Sequence, residues 1–168
     1  EQIAHAFKKI KCLNYFGEGW WSYEFCFNKG VRQFHLVRAK EEGKNFQIHE
    51  FKVGTEYSLG EFDPAILATE DEKKIRQREN ENSKFLELEY SGGSPCEFFS
   101  GGLEEQETIK GQARSSTIRF HCGKNLAIDG VVEDYTCHYI FSISVPDLCL
   151  HPLLRPSITA VHEIQCLP

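Results

Sequence analysis

The chain has 168 residues, a formal net charge of −6, 12% aromatic residues and seven cysteines. That length suits one domain with a real core, and the aromatic share sets the chain apart from disordered polypeptide. The acidic balance, with no basic cluster, excludes nucleic acid and anionic membrane as main partners, because both need a basic footprint.

Residues 1–11 place Ile3, Phe7 and Ile10 at helical spacing, which predicts a short helix, with an edge strand as the alternative. The chain begins at Glu1 with neither a start methionine nor a signal peptide, so a piece of a longer precursor is expected, and no run resembles a transmembrane span. Next comes GEGWWSYEFCFNKGVRQFH, residues 17–35, the densest aromatic segment and the one that holds both tryptophans. Trp21, Tyr23, Phe25 and Phe27 alternate with Ser22, Glu24 and Cys26, the period of a strand with one core face. Asn28-Lys29-Gly30 then leads to a second strand over 31–37, so a hairpin is expected with Gly30 supplying positive φ. Pairing Cys26 with Val31 across a four-residue loop puts Tyr23 opposite Phe34 and Trp21 opposite Leu36 inside, with Glu24 beside Gln33 and Ser22 beside His35 outside. Trp21 is then core, while Trp20 is an indole plate on a polar face next to Gln33. Sugar rings bind such a plate through their C–H faces and hydroxyls, as do other ligands with flat or apolar faces.

From 45 to 57 the apolar positions Phe46, Ile48, Phe51, Val53 and Tyr57 alternate imperfectly, which predicts one or two short strands. Asp63-Pro64 reads as a helix start. The charged stretch 65–84 carries few apolar residues and reads as a solvated helix or mobile insertion. Residues 85–90 alternate as a strand that Ser91-Gly92-Gly93-Ser94-Pro95 ends in a turn, without the Gly-Lys-Ser/Thr of a phosphate loop. A flexible stretch, 100–116, precedes TIRFHC, where Ile118, Phe120 and Cys122 share one side and Thr117, Arg119 and His121 the other. After an Asp129-Gly130 turn, VVEDYTCHYIFSISV is a long β-rich run with Tyr139, Phe141, Ile143 and Val145 in phase, and the prolines at 146, 152 and 156 mark an extended tail. Many short strands and no helical core imply a mostly antiparallel sandwich or barrel.

The cysteines at 12, 26, 96, 122, 137, 149 and 166 include no C-x-x-C pair, so they suggest disulfides rather than zinc or thioredoxin-type chemistry, and hence the secretory pathway. Seven is odd, and Cys166, past the proline-rich exit, is the thiol left over or paired outside. No Asn-x-Ser/Thr acceptor occurs. The scattered histidines form no metal motif, Cys122 and His121 point to opposite faces, and Glu104-Glu105 lies in a loop; no enzyme signature, metal site or cofactor survives. What survives is Gln33, Arg119, Glu133 and Tyr139. Singly each reads as a surface residue or local ion pair. Together they would make a sugar site, since a mannose ring offers vicinal hydroxyls that both donate and accept, which guanidinium, carboxylate, amide and phenol can match.

WWSYEFC followed by VRQFH, then YSGGSPCE, IRFHC, VVEDYTCHYIF and VPDLCLHPLLRP, in that order from Cys12 to Pro156, resemble the mannose-6-phosphate receptor homology (MRH) domain. The type is that of lectins for endoplasmic-reticulum-associated degradation, the erlectin and osteosarcoma-amplified-nine type. The resemblance implies a flattened β-barrel of two antiparallel sheets over 12–156, between a flank at 1–11 and a tail at 157–168. It implies that Gln33, Arg119, Glu133 and Tyr139 hold a terminal mannose and that Trp20 and Trp21 read neighbouring mannoses, although the register above turns Trp21 inward. It also implies bridges Cys12–Cys26, Cys96–Cys137 and Cys122–Cys149, one of about fifteen connectivities that six cysteines allow. The sequence departs from the family at Glu97, usually Asp, and in the longer link from 98 to 116. A non-enzymatic lectin of the endoplasmic reticulum lumen follows, one that reads trimmed high-mannose N-glycans with exposed α1,6-linked mannose on misfolded glycoproteins. Its second partner would be a luminal adaptor of a membrane ubiquitin-ligase complex. The rivals are a regulatory subunit of a processing glycosidase and a glycan-independent binder of unfolded polypeptide.

Overall fold

The computed structural model describes residues 2–38, 51–63, 75–77, 84–100 and 107–155. Helix α1 (Gln2–Lys8) precedes β1 (Cys12–Phe16), β2 (Ser22–Cys26), β3 (Gly30–Arg38), β4 (Phe51–Glu61), β5 (Ile75–Gln77) and β6 (Lys84–Tyr90). Then come β7 (Pro95–Ser100), β8 (Glu107–Ala113), β9 (Ser115–His121), β10 (Ala127–Tyr135), β11 (His138–Ser144) and a 3-10 turn (Pro146–Leu150). One sheet has the order β1-β2-β3-β4, a second β10-β11-β9-β6-β5, and β7-β8 form a ribbon. The expected all-β, disulfide-stapled architecture is present, as a sandwich rather than a closed barrel. The second sheet is mixed, because β11 runs parallel to β9. Among the described residues no helix is long and apolar enough to cross a membrane.

Alternation turns one face of each sheet inward. Phe25, Val31 and Leu59 from the first sheet share a core with Leu86, Leu88, Tyr90, Ile118, Phe120, Phe141 and Ile143 from the second. Phe25 sets its ring edge-on to Tyr90 at 5.6 Å and to Phe120 at 5.7 Å. Such pairs contribute roughly 0.5–1.5 kcal/mol beyond the area they bury. The helix reading of the N-terminal segment is the one that forms, and it closes one end of the core. Ile3, Ala6, Phe7 and Ile10 are buried, and the Phe7 ring lies 4.7 Å from Phe27 and 4.8 Å from Phe120.

The β2–β3 hairpin pairs one residue away from the expected register. Cys26 faces Gly30, Phe25 faces Val31 and Tyr23 faces Gln33. A slip of one residue exchanges the faces of a strand, so Gln33 moves from the polar side to the inner side and Phe34 leaves Tyr23. Close backbone approach explains the choice. Gly30, with φ 153°, sits where a Cβ would lie 2.5 Å from the Gly60 carbonyl oxygen, and at Gly60, with φ 137°, a Cβ would lie 2.4 Å from that of Tyr90. Only glycine fits either place, so Gly30 belongs to the ladder instead of the loop. Farther along, β4 bulges against β3: Phe34 pairs with Glu56 and Leu36 with Val53, leaving His35 opposite both Gly54 and Thr55.

The β-rich run after Gly130 is two strands, not one. Asp129 is an extra residue within β10 rather than part of a turn, and the reversal falls at Thr136-Cys137, where Cys137 takes φ 63°. Glu133 therefore lies opposite Tyr139. Of the charged stretch 65–84, expected as helix or mobile insertion, residues 75–77 form an edge strand on β6; most of the rest, including the helix expected from Pro64, lies outside the described residues. The expected flexible stretch 100–116 holds β8, which pairs with β7. All three bridges implied by the resemblance are present, Cys12–Cys26, Cys96–Cys137 and Cys122–Cys149. Cys166 lies outside the described residues.

Candidate functional site

Polar groups gather at the inner side of the first sheet, beyond the last core aromatics. Gln33 on β3 lies between Tyr23 of β2 and Tyr57 of β4, its partners in the two ladders, and is 3% exposed. From the second sheet Tyr139 comes to meet them, its ring 6.4 Å from that of Tyr23. Arg114, in the single-residue link between β8 and β9, lays its guanidinium 4.6 Å from the centre of the Tyr57 ring. Its Nη1 donates to the Tyr139 hydroxyl at 3.4 Å and lies 3.1 Å from Cys137 Sγ. The next residue fixes this approach: the Ser115 N–H donates to the Cys137 carbonyl at 3.1 Å, and its hydroxyl bonds His138 Nδ1 at 2.7 Å. Glu133, across the hairpin from Tyr139, is held by the Cys137 N–H, which donates to its Oε1 at 2.8 Å.

Burial raises the Tyr139 phenol pKa, and the Glu133 charge raises it further against an opposing pull from Arg114. Burial, then Tyr139 and Glu133, raise that of Tyr23. Both hydroxyls thus stay protonated at neutral pH. Two buried side-chain atoms have no hydrogen-bond partner among the described residues, Gln33 Oε1 and Arg114 Nε, and their two side chains both flank Tyr57. A buried polar atom left unpaired costs roughly 1–3 kcal/mol, so a ligand that pairs both atoms is favoured.

Of the residues expected from sequence, Gln33, Glu133 and Tyr139 come together. Trp21, half-buried, joins them with its ring 5.8 Å from Tyr57; it is not in the core cluster, contrary to the expected core role. Trp20 is 67% exposed and stacks on His35 at 3.5 Å, not beside Gln33 on an outer face. Arg119 is not brought to the group. It points to the outer face of the second sheet, where its Nε donates to Glu87 at 2.9 Å and its guanidinium covers Phe85 at 5.0 Å. Arg114 stands at the site instead, and sequence parity carried the signal: 114 is in phase with the core positions 116, 118 and 120, whereas 119 is not. Tyr23 and Tyr57 were also missed, because ladder pairing with Gln33 brings them in. A separate cavity of about 450 Å³ beside the β3–β4 pair is lined by Glu24, Arg32 and Glu56, but Arg32 already bonds Glu24 at 2.8 Å and Glu56 at 2.7 Å.

A family model described as glucosidase II beta subunit-like protein matches residues 10–96. The chain belongs to that family, and its domain is an MRH domain of the OS-9 type, a non-enzymatic class. It is 31% identical over 157 residues to Protein OS-9 homolog of Arabidopsis thaliana, covering 93% of this chain and 48% of that protein. It is 30% identical over 167 residues to Endoplasmic reticulum lectin 1 of Xenopus laevis, covering 94% of this chain and 32% of that protein. The chain therefore spans about half or less of the curated relatives it matches. Its fold resembles the MRH domain of Yos9, solved in complex with alpha3,alpha6-Man5, with a TM-score of 0.56 at 19% identity over 91% of this chain and 85% of that one.

Proposed function

We propose that this domain is a mannose-binding lectin in which Gln33, Arg114, Glu133 and Tyr139 hold one terminal mannose and Trp20 and Trp21 read the sugars beyond it. The observation that carries the reading is the pair of unpartnered buried atoms, Gln33 Oε1 and Arg114 Nε, an acceptor and a donor flanking one aromatic ring. A sugar hydroxyl both donates and accepts, so vicinal hydroxyls suit that pair. The Arg114 and Glu133 charges balance, which favours a neutral polyol over a phosphate. The finer preference, an exposed α1,6-linked mannose on trimmed N-glycans of misfolded glycoproteins, is supported by likeness to proteins named OS-9 and endoplasmic reticulum lectin. Likeness to a protein named endoplasmic reticulum lectin supports a place in the endoplasmic reticulum lumen, and the proposal extends to delivery of bound glycoproteins to a luminal adaptor of a ubiquitin-ligase complex. The matching family description favours a second reading for the whole protein, a glycosidase-regulating subunit built on the same sugar site.

A glycan array with calorimetric titration tests it. Binding should require a terminal mannose and strengthen with an exposed α1,6 linkage, and Gln33→Leu should abolish it in a protein that still folds. Binding to denatured polypeptide with no dependence on mannose would replace this reading with the glycan-independent one.

A further inference from the structure

We infer that His35 is a positioning residue that orders Trp20 in advance for the second sugar unit; this rests on the lectin reading above. Trp20 needs such help. It is 67% exposed in the five-residue link between β1 and β2, and a Cβ added at Gly19, just before it, would meet nothing within 4 Å, so the backbone leading into the indole is not held by packing. An unconfined side chain loses its rotamer freedom on binding, and that loss subtracts from affinity.

His35 confines it in two ways. Its ring lies 3.5 Å from that of Trp20 at an interplanar angle of 9°, and its Nδ1 is 2.9 Å from the Trp20 carbonyl oxygen. A carbonyl only accepts, so Nδ1 carries the proton and donates. One indole face is thus backed by imidazole, and the other is left to solvent. The same ring meets Trp21 at 6.5 Å and 85°, so His35 holds the two indole planes close to perpendicular, a corner instead of a flat wall. The bulge that Gly54 and Thr55 form on β4 lies opposite His35, which stands two residues along β3 from Gln33 and on the same side.

The test compares methyl α-mannopyranoside, which fills the first position alone, with α1,6-mannobiose, which reaches the tryptophans. His35→Ala should weaken the disaccharide roughly twofold to tenfold, the value of one immobilised side chain. The monosaccharide should be unaffected. His35→Phe, which keeps the stack, and His35→Asn, which keeps an N–H for the carbonyl, should each retain more disaccharide affinity than alanine. Equal weakening of both sugars, or none of the disaccharide, overturns the proposal. A sugar-free readout separates it from the lectin reading: the NMR order parameter of the Trp20 indole N–H should fall in His35→Ala, and an unchanged value also overturns it. If wild-type protein binds neither sugar, the lectin reading fails and the indole dynamics alone decide whether His35 orders the plate.

Discussion

Arg114 and Arg119 stand five residues apart in surroundings of different kinds. Arg119 sits in an ion pair on the outer face, whereas Arg114 lies over Tyr57 with Nε unpaired. Lysine keeps the charge but not the planar fork. Arg114→Lys should therefore weaken mannose binding by about 1–3 kcal/mol, roughly fivefold to 150-fold, and Arg119→Lys should leave it unchanged; calorimetry on both variants checks this. Gln33, Glu133 and Tyr139 are legible as a donor and acceptor set, whereas telling Arg114 from Arg119 needs the parity of β9 carried back past Ser115. Tyr90 makes a second residue-scale prediction. It is 1% exposed, its hydroxyl donates to the Phe27 carbonyl at 2.8 Å, and burial pushes its phenol well above the ordinary value near 10. Above about pH 10 the unfolded chain loses this proton and the folded chain keeps it, so the stabilising contribution is full below that pH and declines as pH rises. Urea unfolding at stepped alkaline pH should show the decline. Tyr90→Phe should flatten it and cost about 1–3 kcal/mol at neutral pH, because the Phe27 carbonyl loses its partner.

At the scale of elements, hydrophobic period placed β2, β3, β6 and β9, but it could not fix how they pair. The register of β2 on β3 depends on Gly60, thirty residues beyond the hairpin, whose backbone must pass against Gly30 and Tyr90. A local pattern does not contain that contact. Gly60→Ala should thus destabilise the domain by at least about 1–3 kcal/mol, through positive φ together with a backbone clash, measured by denaturant midpoint. The turn at 136–137 was hidden for a similar reason: neither Thr nor Cys is a usual turn residue, and the bridge to Cys96 fixes Cys137 where its φ is 63°. The polar composition of β5 and β8 hid those strands, since period gives no signal where neither face is strongly apolar.

Across the whole molecule the Cys96–Cys137 bridge joins the β7–β8 ribbon, which leads into Arg114, to the turn that carries Glu133 and Tyr139. It closes a separation of 41 residues, for which chain entropy alone gives about 4 kcal/mol. Replacing both cysteines by serine should lower the melting temperature and, in protein that remains folded, weaken mannose binding. Removing Cys12–Cys26, which links neighbouring strands of the first sheet, should lower stability with a smaller effect on the sugar. The fold class and bridges were legible through a resemblance spread over the chain; the mixed second sheet was not, because parallel pairing of β9 and β11 leaves no mark in either strand alone.

That parallel pair has a temporal consequence. β10 has β11 as its only neighbour in the sheet, and β11 is made last, so the two strands join β9 together as a hairpin that brings Glu133 and Tyr139 with it. During synthesis a nascent copy holds Gln33 and Arg114 long before the phenol that completes the set. On the proposed reading, unfinished copies stay blind to mannose and cannot compete with mature ones for the glycans on other chains.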